Sequence, residues 1–395
     1  MSVVLMMTLL MSSLSAAEPS VIQHIKLHPL GIYVSEPKKL IDKSDLLSIA
    51  EYSRSLHVSC LILSIKSTET TGVSPAILDG VRYLASALQH DGVRIIVCYA
   101  LHSPPYDVSS YSSPKQFDKL AEHAKTELIS VLRELGSACD AVMLDLRVCS
   151  KTLESYWMSS ACKDQLQSVI YQVRHISSIN SVGAFFSDVD ELPGRINTEF
   201  NFAVNGLGRG HLSKGNVKDD LRDRLSLSLI DLGDMASVIQ SQYNSNAEEY
   251  LCKYAVREIV KLHSENQIPI ICYMPKSSGR NHWETTCWSA LIDWVSKYKE
   301  TYYDTIPGPF DDNQVDGQFV SLQRGGDIYF HIFFDCPEMK IAIPNSSKIK
   351  IKSACFMDNG QQLKYRNPFL WNNYLYLKIP KIGPYEYRVI HMEQK

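Results

Sequence analysis

The residues best placed for chemistry are those that close apolar, strand-like runs. Asp145 sits at the end of one of them, Asp140–Leu146 (DAVMLDL). If that strand belongs to a parallel barrel, its C-terminal end is where the catalytic groups of such a fold gather. A carboxylate there serves as a nucleophile, or it caps the following loop or pairs with Arg147. Lys66 closes the run Val58–Lys66, and His102 follows Val93–Tyr99. A lone histidine in that place is either an acid–base group or a structural one. Ser, His and Asp are plentiful, but no G-x-S-x-G elbow supports a hydrolase triad. The 10 cysteines contain no C-x-x-C pair and no Cys/His array with zinc-like spacing, which argues against a structural or catalytic metal. Cys60, Cys98 and Cys272 lie within apolar runs and read as buried thiols. Cys139, Cys149 and Cys162 cluster around one strand and offer a bridge.

The elements that must position these residues alternate regularly. Strands are predicted over Leu30–Val34, Val58–Lys66, Val93–Tyr99, Asp140–Leu146, Ser181–Phe186, Phe200–Val204, Ser226–Asp231 and Gln267–Met274. Helices are predicted between and after them, around Asp45–Leu56, Ile77–His90, Lys115–Leu135, Lys163–Ile176, Ala247–His263 and Trp288–Tyr298. In Lys115–Leu135, Phe117, Leu120, Ala121, Leu128, Val131 and Leu132 recur at helical spacing. Eight strands alternating with helices over roughly 270 residues fit a (β/α)₈, TIM-like barrel. A doubly wound sheet would carry a glycine-rich phosphate turn after an early strand, and none is present. After Pro307-Gly308-Pro309 the helical periodicity stops. Short strands follow at Asp327–Phe334, Met339–Ile343, Lys348–Met357, Tyr374–Ile379 and Tyr385–His391, the pattern of an antiparallel β-sandwich. The expected division is residues 18–306 for the barrel and 310–395 for the sandwich.

Bulk properties exclude several classes. Lys plus Arg number 40 and Asp plus Glu 43, a net charge of −3, so the basic stripe that nucleic acid requires is missing. With 45% hydrophobic and 21% charged residues, disorder, collagen and coiled coil are excluded as the main architecture. The apolar run Val3–Met11, followed by Ser15-Ala16-Ala17, reads as a secretory signal over residues 1–17, with a mature chain starting near Glu18. No Lys or Arg precedes that run, and it is too short to span a bilayer. Asn345-Ser346-Ser347 is a glycosylation sequon in a predicted sandwich turn. Trp288 and Trp294 read as helix core, and Trp283 as part of the loop before that helix.

The end of the barrel carries a resemblance to a known family. Ile270-Ile271-Cys272-Tyr273-Met274-Pro275-Lys276-Ser277-Ser278-Gly279 resembles the "LLN-hydrophobic-GP…DG" segment of the α-L-fucosidases, glycoside hydrolase family 29. Trp294 with Glu300-Thr301-Tyr302-Tyr303-Asp304-Thr305 resembles the "W…GEAIYGT" stretch of that family. Tyr329-Phe330-His331-Ile332 through Pro337-Glu338 is similar to the first strand of its sandwich, with Cys336-Pro337 in place of the usual Trp-Pro. The similarities run in family order through most of the chain. They imply a barrel followed by a β-sandwich, retaining cleavage of α-L-fucose from glycans or glycoconjugates, no cofactor, and no membrane span.

At the active-site motifs the chain departs from the family. Val142-Met143-Leu144-Asp145-Leu146 keeps Asp145 at the nucleophile position but replaces the flanking Trp and Gly. In Gly31-Ile32-Tyr33-Val34-Ser35-Glu36-Pro37, Ser35 stands where the family has the His of a His-Trp-Gly. Lys66-Ser67-Thr68-Glu69-Thr70-Thr71 matches Lys-His-His-Asp-Gly-Phe, keeping the Lys and neither His. By the resemblance, Ser35 and Lys66 stand at positions that face the sugar, and Glu69 and His102 are candidates to bind a differently shaped one. Gly194-Arg195-Ile196-Asn197-Thr198-Glu199 is similar to the acid/base segment Gly-Asp-x-x-Thr-Pro-Glu and offers Glu199, which otherwise reads as a solvated glutamate; Asp188, Asp190 and Glu191 compete for the role. In the family the lost histidines hydrogen-bond the fucose hydroxyls, so their loss implies weak or absent turnover. The chain is thus expected to be either an impaired fucosidase-type hydrolase or an inactive relative that binds carbohydrate or acts as a scaffold. A pocket remodelled for another sugar is the third reading.

Overall fold

The computed structural model describes residues 21–65, 72–100, 114–145, 160–176, 179, 181–186, 202–205, 225–232, 247–273, 282–310, 319–333, 338–345, 349–368, 373–383 and 387–395. The signal expected over residues 1–17 lies outside them.

Eight parallel strands form a closed ring: β1 (Gly31–Val34), β2 (Cys60–Ser64), β3 (Arg94–Ala100), β4 (Ala141–Asp145), β5 (Ser181–Phe186), β6 (Phe202–Asn205), β7 (Leu225–Ile230) and β8 (Gln267–Cys272). The ring closes where Gly31, Ile32 and Tyr33 pair with Ile270, Ile271 and Cys272. Strand alternation sorts the apolar residues into two layers. Tyr33, Ile62, Cys98, Met143, Phe185 and Leu229 belong to the cluster filling the ring. The residues between them, such as Ile32, Leu63, Val97, Val142 and Leu144, pack outward against helices. Buried on both faces, strands such as β2 and β3 are continuous apolar runs rather than alternating ones, which is why they stand out in the sequence.

A short helix, α1 (Val21–Leu27), precedes β1 and sends Val21 and Ile25 into the interior cluster, where they plug the N-terminal end of the ring. Helices α2 (Lys43–Ser55), α3 (Pro75–Leu88), α4 (Pro114–Leu135) and α5 (Ser160–Arg174) follow β1 to β4; α6 (Ala247–Ser264) and α7 (His282–Tyr298) follow β7 and β8. The segments after β5 and β6 lie outside the described residues. Asp42 starts α2, its carboxylate accepting the Ser44 and Asp45 amides at 2.8 and 3.2 Å. Trp283 belongs to the first turn of α7 rather than to a preceding loop. The prediction began that helix at Trp288 because the polar residues ahead of it hid the periodicity. Trp288 and Trp294 are buried, as expected of helix core.

Beyond the ring the chain forms two antiparallel sheets. One runs β13 (Ile351–Phe356), β16 (Arg388–Gln394), β11 (Asp327–Ile332), β10 (Phe319–Arg324), β9 (Ile306–Pro307); the other runs β12 (Met339–Pro344), β15 (Tyr374–Ile379), β14 (Lys364–Arg366). Both contribute to one apolar core that includes Phe330, Ile343, Phe356, Leu377 and Ile390. Strands β10 and β11 are joined by Gly325-Gly326, with Arg324 opposite Asp327 and Gly325 at φ 59°. That two-residue glycine turn between apolar runs marks a hairpin in the sequence, and β10 was missed by not weighing it. The Asn345 side chain is buried, its Nδ2 donating to the Ile349 carbonyl at 2.7 Å and its Oδ1 accepting the Ile349 amide at 2.9 Å. The sequon asparagine is thus engaged with the Ile349 backbone.

Cys60, Cys98 and Cys272 are buried thiols inside the ring. Cys139 is also a buried thiol, donating to the Ala141 carbonyl at 3.2 Å, and burial pushes it up to about 12. Cys149 and the Cys162 side chain, its suggested bridge partners, lie outside the described residues. Among the described residues no helix is long and apolar enough to cross a membrane.

Candidate functional site

The C-terminal ends of the eight strands define one rim of the ring. Asp145 is the last residue of β4. Ala141 and Met143 belong to the interior cluster and Val142 and Leu144 to the outer one, so Asp145 continues the inward phase. It pairs in register with Ala100 of β3 and Phe185 of β5 and is half-buried. Ser35 follows β1 directly and is exposed at the same rim, two residues past the inward-facing Tyr33. The fold therefore brings Asp145 and Ser35 to one mouth, as a parallel ring requires. Lys66, Glu69, His102 and Glu199 lie outside the described residues, as do Asp188, Asp190 and Glu191.

The mouth contains residues that the motif reading passed over. Phe185, fully buried and inward, meets the Tyr33 ring edge-on, with centroids 5.6 Å apart and planes at 88°. An aromatic pair thus crosses the ring beside Asp145 and gives the mouth an apolar floor. Asp231 follows β7 at the same rim, two residues past the inward-facing Leu229, and is half-buried. Its signal was present: Leu225–Asp231 ends in an aspartate much as Asp140–Leu146 nearly does. At β8 the inward Cys272 is followed by Tyr273, whose hydroxyl donates to Asp45 Oδ1 at 3.1 Å and whose amide donates to the Tyr33 carbonyl at 2.8 Å. Burial and the Asp45 carboxylate hold the Tyr273 phenol protonated well above its usual range.

One carboxylate braces the loop between β2 and α3. Glu127, on α4, accepts the Tyr99 hydroxyl at 2.5 Å through Oε2 and the Val73 amide at 2.8 Å through Oε1. Tyr99 is the outward-facing residue before the end of β3, and its phenol is held up by burial and by that carboxylate. Glu127 therefore ties the segment ahead of α3 to β3. Glu127→Ala is expected to cost roughly 1–3 kcal/mol, because two donors lose their acceptor. Urea unfolding reads the loss, and hydrogen exchange at the Val73 amide should accelerate selectively. An unchanged Val73 exchange rate would show that the loop does not depend on this brace.

No protein-family sequence model matches the chain, and no curated protein sequence does. Solved structures do match. α-L-Fucosidase isoenzyme 1 from Paenibacillus thiaminolyticus superposes with a TM-score of 0.66 at 14% identity, over 95% of this chain and 99% of that one. A glycoside hydrolase family 29 α-L-fucosidase from Bacteroides thetaiotaomicron, trapped as a covalent intermediate with 2-fluoro-fucosyl fluoride, gives 0.65 at 11%, over 95% and 96%. Thermotoga maritima α-fucosidase with a mechanism-based inhibitor gives 0.62 at 13%, over 95% and 97%. The coverage takes in the ring and both terminal sheets together. This chain has the fold of the α-L-fucosidases.

Proposed function

We propose that the chain is an α-L-fucosidase-type glycoside hydrolase of the retaining class, built on a complete (β/α)₈ barrel, with turnover of α-L-fucosides well below that of its structural neighbours. The observation that carries the reading is Asp145, inward-phased at the C-terminal end of β4 in a fucosidase fold. In the proposed reaction its carboxylate attacks the anomeric carbon and forms a glycosyl-enzyme ester while an acid protonates the departing oxygen. Water then cleaves the ester with that acid, now ionised, as base. Glu199 is assigned the acid/base role, and Ser35, Lys66, Glu69 and His102 the contacts to the sugar. The substrate is a fucosylated glycan or glycoconjugate. The run Val3–Met11 with its Ser15-Ala16-Ala17 box supports a secreted or lysosomal-type location.

Reduced turnover follows from the missing partners. Three family histidines are absent, and each sugar hydroxyl left without its partner costs on the order of 1–3 kcal/mol. Together such losses remove several powers of ten from kcat/KM. A binding role without turnover is the second reading, and the Tyr33–Phe185 pair favours it by filling the ring at the level of Asp145.

The test is covalent trapping. Incubation with a 2-fluoro-fucosyl fluoride should add one fluorofucosyl group, mapped by peptide mass spectrometry to Asp145 and missing in Asp145→Ala. A panel of aryl glycosides should show slow release that the same substitution abolishes. Ordinary fucosidase turnover lost in Asp145→Ala would refute the impairment but keep the enzyme. Absence of both label and turnover, with fucosylated glycan still bound, would establish the second reading.

A further inference from the structure

Two thiols meet between the last two helices of the barrel wall. Cys252 lies in α6 and Cys287 in α7, and neither is part of a disulfide. Cys287 is fully buried in the outer apolar layer, and the half-buried Cys252 packs against that layer. The Cys252 thiol lies 3.9 Å from the carbonyl oxygen of Thr286, the residue preceding Cys287. The two thiols also hydrogen-bond each other, and that contact, followed by burial, pushes the Cys287 thiol up.

We propose that Cys252 and Cys287 are an exchangeable redox pair that closes into a disulfide between α6 and α7 by reaction with a low-molecular-weight disulfide such as glutathione disulfide. Cys252, the accessible member, reacts first. Its thiolate attacks one sulfur of the reagent, expels a glutathione thiolate and becomes a mixed disulfide. The Cys287 sulfur then attacks the Cys252 sulfur, and its proton passes to the second glutathione thiolate as that leaves. In sum, two protein thiols become one disulfide, and one glutathione disulfide becomes two glutathiones. The enclosed segment contains β8 and Tyr273, so the cross-link fastens one wall of the mouth. Its effect on stability comes mainly from restricting the unfolded chain.

The full chain is incubated with glutathione disulfide, quenched, alkylated in denaturant and digested without reduction. The expected result is a peptide pair joining Cys252 to Cys287, two fewer alkylatable thiols, and an unfolding temperature raised by about 5 °C. Dithiothreitol should reverse all three. Cys252→Ser and Cys287→Ser should each lose the cross-link, and Cys287→Ser should retain glutathione on Cys252. Persistent alkylation of Cys252 in the wild type overturns the proposal. So does a glutathione adduct that never resolves onto Cys287, or pairing of either residue with another cysteine. If Cys287→Ser does not fold, the half-buried position 252 carries the variant comparison alone.

Discussion

Lowering the pH from 7 to 4 is expected to remove roughly 6 kcal/mol from the folded state through two histidines alone, and the loss should begin near pH 6.5. His263, at the end of α6, and His331, in β11, are both buried where the ring meets the antiparallel sheet. Burial, opposed by the Thr305 backbone bond, lowers His263 from 6.5 to about 4. Burial also dominates at His331, opposed by the Thr301 carbonyl and reinforced by the nearness of His263, and lowers it to about 3. The unfolded chain takes up these protons as pH drops through 6.5, while the folded chain resists until about 4. Their contribution is therefore complete above pH 6.5 and drains away below it, down to about pH 4 for His263 and about pH 3 for His331, with about 3 kcal/mol lost from each residue by pH 4.

The hydrogen bonds show what protonation disrupts. His331 Nε2 lies 3.3 Å from the Thr301 carbonyl, which can only accept, so Nε2 carries the proton and Nδ1 accepts from the Tyr387 hydroxyl. A second proton on Nδ1 would turn a donor toward that donating hydroxyl. His263 Nε2 faces the Thr305 carbonyl at 3.1 Å and its hydroxyl at 3.0 Å, and that hydroxyl already donates to the Tyr302 carbonyl at 2.6 Å. Urea unfolding between pH 7 and 4 checks the expectation against His331→Gln and His263→Gln. Each variant should be weaker at pH 7 and should lose about half as much on acidification as the wild type. An equal acid loss in the double variant would place the sensitivity in other groups.

The same junction shows where the sequence is legible. Runs such as CLILS and RIIVCYA can only be strands buried on both faces, and their parallel order places Asp145 and Ser35 on one rim. Asp145 was readable because it ends a strand whose alternate residues, Ala141 and Met143, fill the ring. α1 was not readable. Seven residues carry too little periodicity, and its apolar pair is explained only by the open end of a ring that the local sequence does not reveal. Tyr302 and Tyr303 belong to the stretch that resembles the family, yet they bind the Pro29 and Leu56 carbonyls at 2.6 and 2.5 Å, at the N-terminal side of the ring. The resemblance there reports a structural clasp. In the sequence Lys66, Glu69 and His102 close or follow apolar runs and Glu199 precedes one, where no period ties a side chain to a face.

Gly80→Ala is expected to destabilise the barrel by 3 kcal/mol or more, on the order of a severe overpacking change. Intrinsic propensity points the other way, since Ala is about 1 kcal/mol better than Gly inside a helix. Packing decides the sign. Gly80 lies on the buried face of α3, and a Cβ there would stand 1.8 Å from the Leu40 carbonyl oxygen and 2.8 Å from its carbon. Neither atom can step aside, because Leu40 is itself fully buried and ends the tight turn Pro37–Leu40, in which the Ile41 amide closes back on the Lys38 carbonyl at 3.2 Å. That turn begins two residues after Ser35, so relieving the clash displaces the segment that brings Ser35 to the rim. A glycine of another kind provides the contrast. Gly325 has φ 59° but open space around its Cβ position, so Gly325→Ala should cost only about 1–2 kcal/mol of backbone strain. Thermal unfolding of the two variants beside the wild type should rank Gly80→Ala far below Gly325→Ala. A Gly80→Ala protein as stable as the wild type would mean that α3 does not rest backbone to backbone on the turn at Leu40, and the link from this helix to the mouth would be broken.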